Sequence, residues 1–482
     1  MSEKTPLNTA YKDPSALVDL ARLKNYQKYV FFVTFGSYFM SHFARKCYST
    51  VKKQLVDEGG YSSLTLSEMD TTFMATYAIG SFVSGRLGDI YRPTTVLAIG
   101  LYGSGICLGF MVANLLMDYE HMSKLLGDSI MLGTYFLFGF AQSTGGPVGT
   151  AIMGNWFCDS ASVSNRGTIF GLWTCHQYLG DICAAVCTAL ILHLEFNWLW
   201  ALVLPAVCSV AWGGLCMTLT PDPDEMGIRV DALTKPKDPS SAPLPLISST
   251  SPPAPHAAIS FFDALMIPNV LAYAVAFGFF KLINYVLFFW LPFFLNTHFD
   301  SVTANLIAAL YSLGMMPGGI IVGKASDIFG GRRATVIAVF MLFLVPCLLV
   351  FATSQDDLPP LVLFSMLCLM GILVGGPNNI ITSAVAADLA DHPSIAGSKK
   401  ALGTVTGIIN GSGSITASIG LLAVGPLQRS YGWGSVWYFL VGCTVVGTAL
   451  MGPKIWREIS GEEGIKKGKG RTGQKTYQTI KT

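Results

Sequence analysis

The chain has 482 residues, 51% of them hydrophobic and only 12% charged, with a formal net charge of +2. Soluble domains carry about 25% charged residues, so this chain cannot clothe an ordinary globule in water and lipid must cover much of it. No nucleic-acid partner is expected.

Residues 1–28 are polar and mixed in charge, without the apolar core of a cleavable signal. The first apolar segment is therefore expected to act as its own targeting signal. A membrane span needs about 20 apolar residues. Twelve candidates follow, at residues 27–47, 68–86, 94–117, 127–153, 166–193, 197–219, 264–295, 302–323, 333–353, 359–385, 401–425 and 434–455. Thr65-Leu-Ser-Glu68 has capping-box spacing just before span two. Several spans are rich in small residues, which let helices approach closely in lipid. A Pro- and Ser-rich linker at 221–260 divides the spans six and six.

These features predict an all-α membrane protein of twelve transmembrane helices in two pseudo-symmetric six-helix bundles. A cytosolic N-terminal arm at 1–26 precedes the first bundle at 27–220. The linker, a second bundle at 261–458 and a basic tail at 459–482 follow. The eleven cysteines are scattered, mostly in apolar runs, and read as small packing residues rather than a disulfide framework.

The stretch GRLGDIYRPT at 85–94 recurs as GKASDIFGGRR 238 residues later. Both copies share a Gly, an Asp-Ile-aromatic triplet and an Arg: Gly85, Asp89 and Arg92, then Gly323, Asp327 and Arg332. Each follows a span, so the chain reads as a duplicated membrane unit. Such units place one substrate site between two rocking halves. Twenty-four of the 31 Lys and Arg residues fall on the side of the N-terminus and four on the other. The positive-inside rule puts both termini and the linker in the cytosol. The repeated Gly-Asp-Arg loops are then cytosolic and are expected to latch the halves in one conformation.

Three cations lie inside spans: Arg45, Lys46 and Lys281. A cation at mid-membrane costs roughly 2.5–3.5 kcal/mol on insertion scales. Tyr38, His42, Arg45 and Ser49 share one helical face, which must line the bundle interior. Lys281 occupies the counterpart helix of the second half, with Asn284 and Tyr285 one turn on. Two facing cations call for an anion, and a phosphate dianion takes a fork from Arg and a point charge from Lys. Among acids, Asp181 is the one expected deep in a span. It is a candidate for pairing with a cation, carrying a coupling proton or capping a broken helix. His176, Tyr77, Gln142 and Asn410 are further candidate substrate contacts, with Asn378 and Asn379 as packing polars. No metal motif, cofactor motif or catalytic constellation is present, so neither an enzyme nor a cofactor is expected.

The repeated loop resembles the signature of the major facilitator superfamily. FARKCYSTVKKQL in span one, GNWFCDSASVSNRGTIFGLWTCHQYLGD around span five, FFKLINYVLFFWLPFF in span seven and PNNIITSAVAADLADHPSIAGSKKALGTVTGIINGSGS resemble the organophosphate:phosphate antiporters. More specifically, these stretches resemble the sugar-phosphate exchangers of eukaryotic solute carriers. The resemblance covers nearly all of 27–458. It implies exchange of a phosphorylated sugar or polyol, such as glucose 6-phosphate or glycerol 3-phosphate, for inorganic phosphate. It also favours the endoplasmic reticulum membrane, with the plasma membrane or another organellar membrane left open. The family's phosphate-binding Arg falls on Arg45, the exchangers' span-seven Lys on Lys281 and their span-five His on His176. Bacterial members place an Arg where this chain has Asn284 and a His where it has Gln177. The exchangers tend to have Asn where this chain has Asp181. Two alternatives stay open at this point: a proton-coupled symporter using Asp181 and His176, and a sugar-phosphate sensor that moves nothing. The oligomeric state is left open.

Overall fold

The computed structural model describes residues 14–117, 124–157, 166–219, 223–227, 260–354, 359–390, 392 and 402–460. For 14–20, 85–86, 88–90, 166–168, 223–224 and 402–403 only the backbone is described. The expected N-terminal arm to residue 13, nearly all of the linker and the tail beyond 460 lie outside the described residues.

Span one is the helix Pro14–Thr50. It starts 13 residues before the apolar stretch predicts. No Gly or Pro interrupts residues 15–27, and Pro14 opens the helix where its missing N–H is not needed. Span two is Ser63–Ile90, capped by Ser62, whose hydroxyl accepts from the Thr65 amide at 3.1 Å. The capping box expected at Thr65 therefore lies inside the helix, and the cap sits three residues earlier. Span three is Pro93–Leu115, and span four divides into Lys124–Gln142 and Gly145–Trp156. Span five breaks at Thr174 into Arg166–Trp173 and Cys175–His193, and span six is Trp200–Cys216.

In the second half, a short turn of helix, Phe261–Leu265, leads to span seven, Val270–Leu295. Spans eight and nine are Ser301–Ile328 and Arg333–Ser354. Span ten, Pro360–Ile380, continues through a π turn, Ile381–Val385, into Ala386–Ala390. Spans eleven and twelve are Leu402–Tyr431 and Trp433–Leu450, followed by the short helix Gly452–Ser460. Among the described residues, eight spanning helices are long and apolar enough to cross a membrane by length and composition. Spans one, two and four fall short by that measure, and span six is only 17 residues long. Spans one, two and four also carry polar residues that the site below uses.

The halves meet through spans one and seven, two and eleven, and five and eight. Small residues permit the approach: a Cβ on Gly425 of span eleven would stand 2.2 Å from the Ser63 carbonyl of span two. Among the described residues, the hydrogen bonds joining the halves run from mid-bundle to the end opposite the N-terminus. At that far end Ser49 Oγ donates to the Phe288 and Phe289 carbonyls at 2.8 and 3.1 Å. Asn305 donates to the Thr50 carbonyl, Ser418 to that of Thr71, and the Gly425 amide to Ser67 Oγ. Among the described residues none joins the halves at the N-terminal end, so these bonds hold the interface together on the far side of the central site.

Candidate functional site

The polar face expected on span one turns inward. Arg45 is 2% exposed at the meeting of the halves. It donates to Gln142 Oε1 of span four and to the Tyr285 hydroxyl of span seven, both at 3.2 Å. Its guanidinium carbon lies 4.7 Å from the Tyr77 ring centroid and 5.1 Å from that of Phe73, both on span two. Gln142 is fixed in turn by donating to Ser104 Oγ at 3.1 Å. All of these contacts come from neutral groups, and Arg45 Nε has no protein partner. A buried guanidinium surrounded by phenols and an amide keeps its charge and donor capacity for an anion.

Lys281 of span seven is also buried. Its ammonium donates to Asn410 Oδ1 at 2.6 Å, to the Asn410 carbonyl at 3.2 Å and to Ser414 Oγ at 2.7 Å. Three acceptors match the three protons of an ammonium. Gly413 makes room for its stem, since a Cβ there would stand 3.1 Å from Lys281 Cδ. Lys281 Nζ lies 5.8 Å from the Tyr285 ring, and the Tyr285 hydroxyl holds Arg45. Tyr285 thus links the two cations across the interface. The structure brings Arg45, Tyr77, Gln142, Lys281, Tyr285 and Asn410 together.

Other expected contacts fall elsewhere. Lys46 turns from the site to the interface, donating to the Phe288 carbonyl with its ammonium 4.4 Å from the Phe288 ring. One helical position separates it from Arg45, enough to put it on a different face. Asn284 accepts from Tyr311 of span eight at 2.9 Å and has no bond to either cation. His176 sits in an aromatic box, 4.4 Å from Tyr38, 4.5 Å from Trp173 and 5.6 Å from Phe35 between ring centroids, with neither ring nitrogen hydrogen-bonded. Asp181 does not cap the break at Thr174. Its carboxylate lies 3.0 Å from His42 Nδ1. Asn379 bonds Tyr178 across the halves, while Asn378 donates back to Val374 of its own helix.

The expected latch is not seen as a bond between halves. Arg92 pairs with Glu225, in the Pro223–Met226 turn at the start of the linker, at 3.2 Å, both partly exposed. In the second copy it is Arg333, not Arg332, that pairs with an acid, Asp388 of span ten, within the second half. Among the described contacts Asp327 makes no ion pair, the Asp89 side chain lies outside the described residues, and a Cβ on Gly323 would meet open space. Gly85 likewise has only its backbone described. Neither loop bonds the opposite half among the described contacts, which fits a conformation parted at this end.

Two features were not read from sequence. Lys52, one of the four basic residues that the sequence puts on the far side, is fully buried and bonds Asp70 of span two at 2.6 Å. The Trp290 ring of span seven covers its ammonium at 3.9 Å. The signal was available: Asp70 lies three residues inside an apolar span, 18 residues from Lys52. The other feature is Ser414, a Lys281 ligand one turn beyond Asn410 in a Gly/Ser-rich run.

The comparisons with known proteins agree with this architecture. The model of the Major Facilitator Superfamily matches residues 34–398. Sugar phosphate exchanger 3 of Bos taurus is 31% identical, covering 91% of this chain and 94% of that protein. The Homo sapiens protein of that name is also 31% identical, covering 91% and 95%. Putative glycerol-3-phosphate transporter 1 of Arabidopsis thaliana is 30% identical over 93% of each chain. A crystal structure of a mutant nucleoside transporter NupG superposes with a TM-score of 0.62 at 15% identity, covering 88% of this chain and 99% of the other. A bacterial homologue of the human lysosomal transporter Spinster, inward-facing and unoccupied, gives 0.59 at 13%, covering 90% and 95%. With its twelve-helix fold, its interface between halves and a family match over most of its length, the chain belongs to the Major Facilitator Superfamily and is an integral membrane transporter.

Proposed function

We propose that this transporter exchanges a phosphorylated sugar or polyol, of the glucose 6-phosphate or glycerol 3-phosphate class, for inorganic phosphate. The observation that carries the reading is Arg45, buried at the interface with no carboxylate among its hydrogen-bonding partners and Nε unpaired. Lys281 from the other half lies 5.8 Å from the ring of Tyr285, to whose hydroxyl Arg45 donates. A phosphate group seated there takes the Arg45 fork and the Lys281 ammonium. Tyr77, Gln142 and Asn410 are the neighbours left to read the rest of the molecule. The names of the relatives at about 31% identity support the same substrate class.

Antiport has an electrostatic rationale. Without an anion the two cations repel and resist closure around an empty site, whereas a bound phosphate relieves that repulsion. The protein is then a carrier and not an enzyme. Both termini lie in the cytosol and the endoplasmic reticulum is its membrane. Asp89, Arg92, Asp327 and Arg332 join across the halves only in the opposite conformation. The test is uptake of labelled phosphate into proteoliposomes preloaded with phosphate, glucose 6-phosphate, glycerol 3-phosphate or buffer. Uptake is expected only where an internal phosphate compound is present. Equal uptake into empty vesicles would overturn obligatory exchange.

A further inference from the structure

We propose that His42 and Asp181 form a proton-binding pair that takes up one proton together with the anion in the central site. The proposal rests on the phosphate-binding reading above and adds a second ligand, the proton, with its own site.

The pair is built into the packing of spans one and five. His42 Nδ1 lies 3.0 Å from Asp181 Oδ1, and the side chains are 10% and 5% exposed. Gly180 lets the helices touch: a Cβ there would stand 2.6 Å from the Phe39 carbonyl and 2.9 Å from His42 Cβ. His42 lies one turn before Arg45 on the same face of span one. With Nδ1 directed to the carboxylate, Nε2 is the ring nitrogen free to take a proton.

The groups around the pair limit what else can titrate. Span one presents Tyr38, Arg45 and Lys46, and span five presents His176 and Tyr178. Tyr285 of span seven and Tyr311 of span eight lie within electrostatic reach of Asp181. Phenols stay neutral near pH 7 and Arg stays charged, while both lysines donate to acceptors that hold the ammonium form: Lys281 to Asn410 and Ser414, and Lys46 to the Phe288 carbonyl. The two imidazoles remain. His176 is boxed by aromatic rings, whereas His42 has the carboxylate. His42 is therefore the acceptor.

Charge counting gives the link to substrate. Lys46 lies outside the site but within electrostatic reach of Asp181, so Arg45, Lys46 and Lys281 set against Asp181 leave two positive charges when both imidazoles are neutral, the charge of one phosphate dianion. The empty site repels a further proton. The filled site does not, so anion and proton favour each other's binding. Phosphate also arrives from neutral water partly as the monoanion. Its O–H bond then breaks, a new N–H bond forms at His42 Nε2, and the dianion is left between Arg45 and Lys281. The proton returns to the phosphate, or to water, when the anion leaves.

Sulfate separates the protein's titration from the substrate's, because it is a tetrahedral dianion throughout the range from about pH 6 to pH 8. Phosphate self-exchange is measured in proteoliposomes at equal pH on both sides, with external sulfate as competitor. In the wild type, the half-inhibiting sulfate concentration is expected to fall several-fold per pH unit on acidification, with about tenfold as the limit for one proton. Asp181→Asn, which keeps an acceptor but not the charge, and His42→Gln are each expected to flatten this to about twofold or less. A pH-independent wild-type profile overturns the proposal, as does an unchanged slope in both variants. Sulfate that fails to compete at pH 6 also counts against it. The wild-type profile decides alone if the variants do not reach the membrane. Loss of wild-type phosphate self-exchange would strike the antiport reading instead, and is scored before sulfate is added.

Discussion

Arg45 and Lys52 lie two helical turns apart, both withdrawn from solvent, at 2% and 0% exposure. Lys52 has a carboxylate at 2.6 Å and an indole over its ammonium. Arg45 has an amide, a phenol and two aromatic rings. Burying a charge demands compensation. At Lys52 the fold supplies it, and the charge belongs to the architecture. At Arg45 the fold supplies only neutral dipoles, and on the proposed reading an anionic ligand completes the compensation. The buried carboxylate is thus what sets Lys52 apart from Arg45.

The largest test of that separation is Arg45→Ala. Removing one partner of a buried charged contact typically costs 2–5 kcal/mol, so phosphate exchange is expected to fall by about 100-fold or more. The protein should still fold, because no carboxylate is left unpaired. Gel-filtration behaviour and membrane yield report folding, and tracer exchange reports function. Undiminished exchange would remove Arg45 from the site. Lys281→Gln is expected to behave similarly but less severely, since Asn410 and Ser414 keep hydrogen-bonding partners.

Lys52 should behave in the opposite way. Lys52→Ala leaves Asp70 charged, buried and alone, a loss on the order of 3–5 kcal/mol in stability. The expected result is low yield and a lowered Tm, with near-normal exchange in whatever protein survives. Replacing both partners, as Lys52→Met with Asp70→Leu, should restore much of the stability, because well-packed apolar pairs often match buried ion pairs. A double variant as unstable as the single one would show that the charge itself is needed. Tyr285→Phe comes next in size. It removes the hydroxyl that Arg45 donates to but keeps the ring, so a loss of about tenfold or somewhat more in exchange is expected, in line with the roughly 1.5–3 kcal/mol of a hydrogen bond to a charged group.

Much of this was legible in the sequence because lipid simplifies the problem. An apolar run of spanning length must be a helix, so the twelve spans and their division followed from hydropathy. Arg45 and Lys281 stood out because charge in such runs is rare. Helix ends were less legible. Span one begins at Pro14 because a polar segment without breakers extends the helix, and hydropathy says nothing of that. Contacts between distant spans were least legible. One residue of register separates Arg45, which lines the site, from Lys46, which holds the Phe288 carbonyl. The pairing of His42 with Asp181 spans 139 residues and depends on Gly180 letting two helices touch. The latch residues mark loops that the sequence repeats, but a repeat does not say which conformation joins them.

Asp300 supplies the smallest contrast, a charge that needs neither a buried partner nor a ligand. It caps span eight in an exposed loop, its carboxylate accepting from the Val302 and Thr303 amides at 2.9 and 3.1 Å and from the Thr303 hydroxyl at 2.6 Å. These bonds hold its carboxyl below the usual carboxylate range, the Thr303 hydroxyl contributing most. A folded-state pKa below the unfolded one stabilises the protein above the unfolded value of about 4 and loses that contribution as pH falls through the folded value. Asp300→Ala is therefore expected to cost about 1 kcal/mol near neutral pH. Asp300→Asn, which still caps, should cost less. Neither should alter exchange. Thermal unfolding of wild type and Asp300→Ala compared at pH 7 and near pH 3 checks the sign: the gap in Tm should narrow in acid. A gap that widens would mean the carboxylate is not what the cap uses.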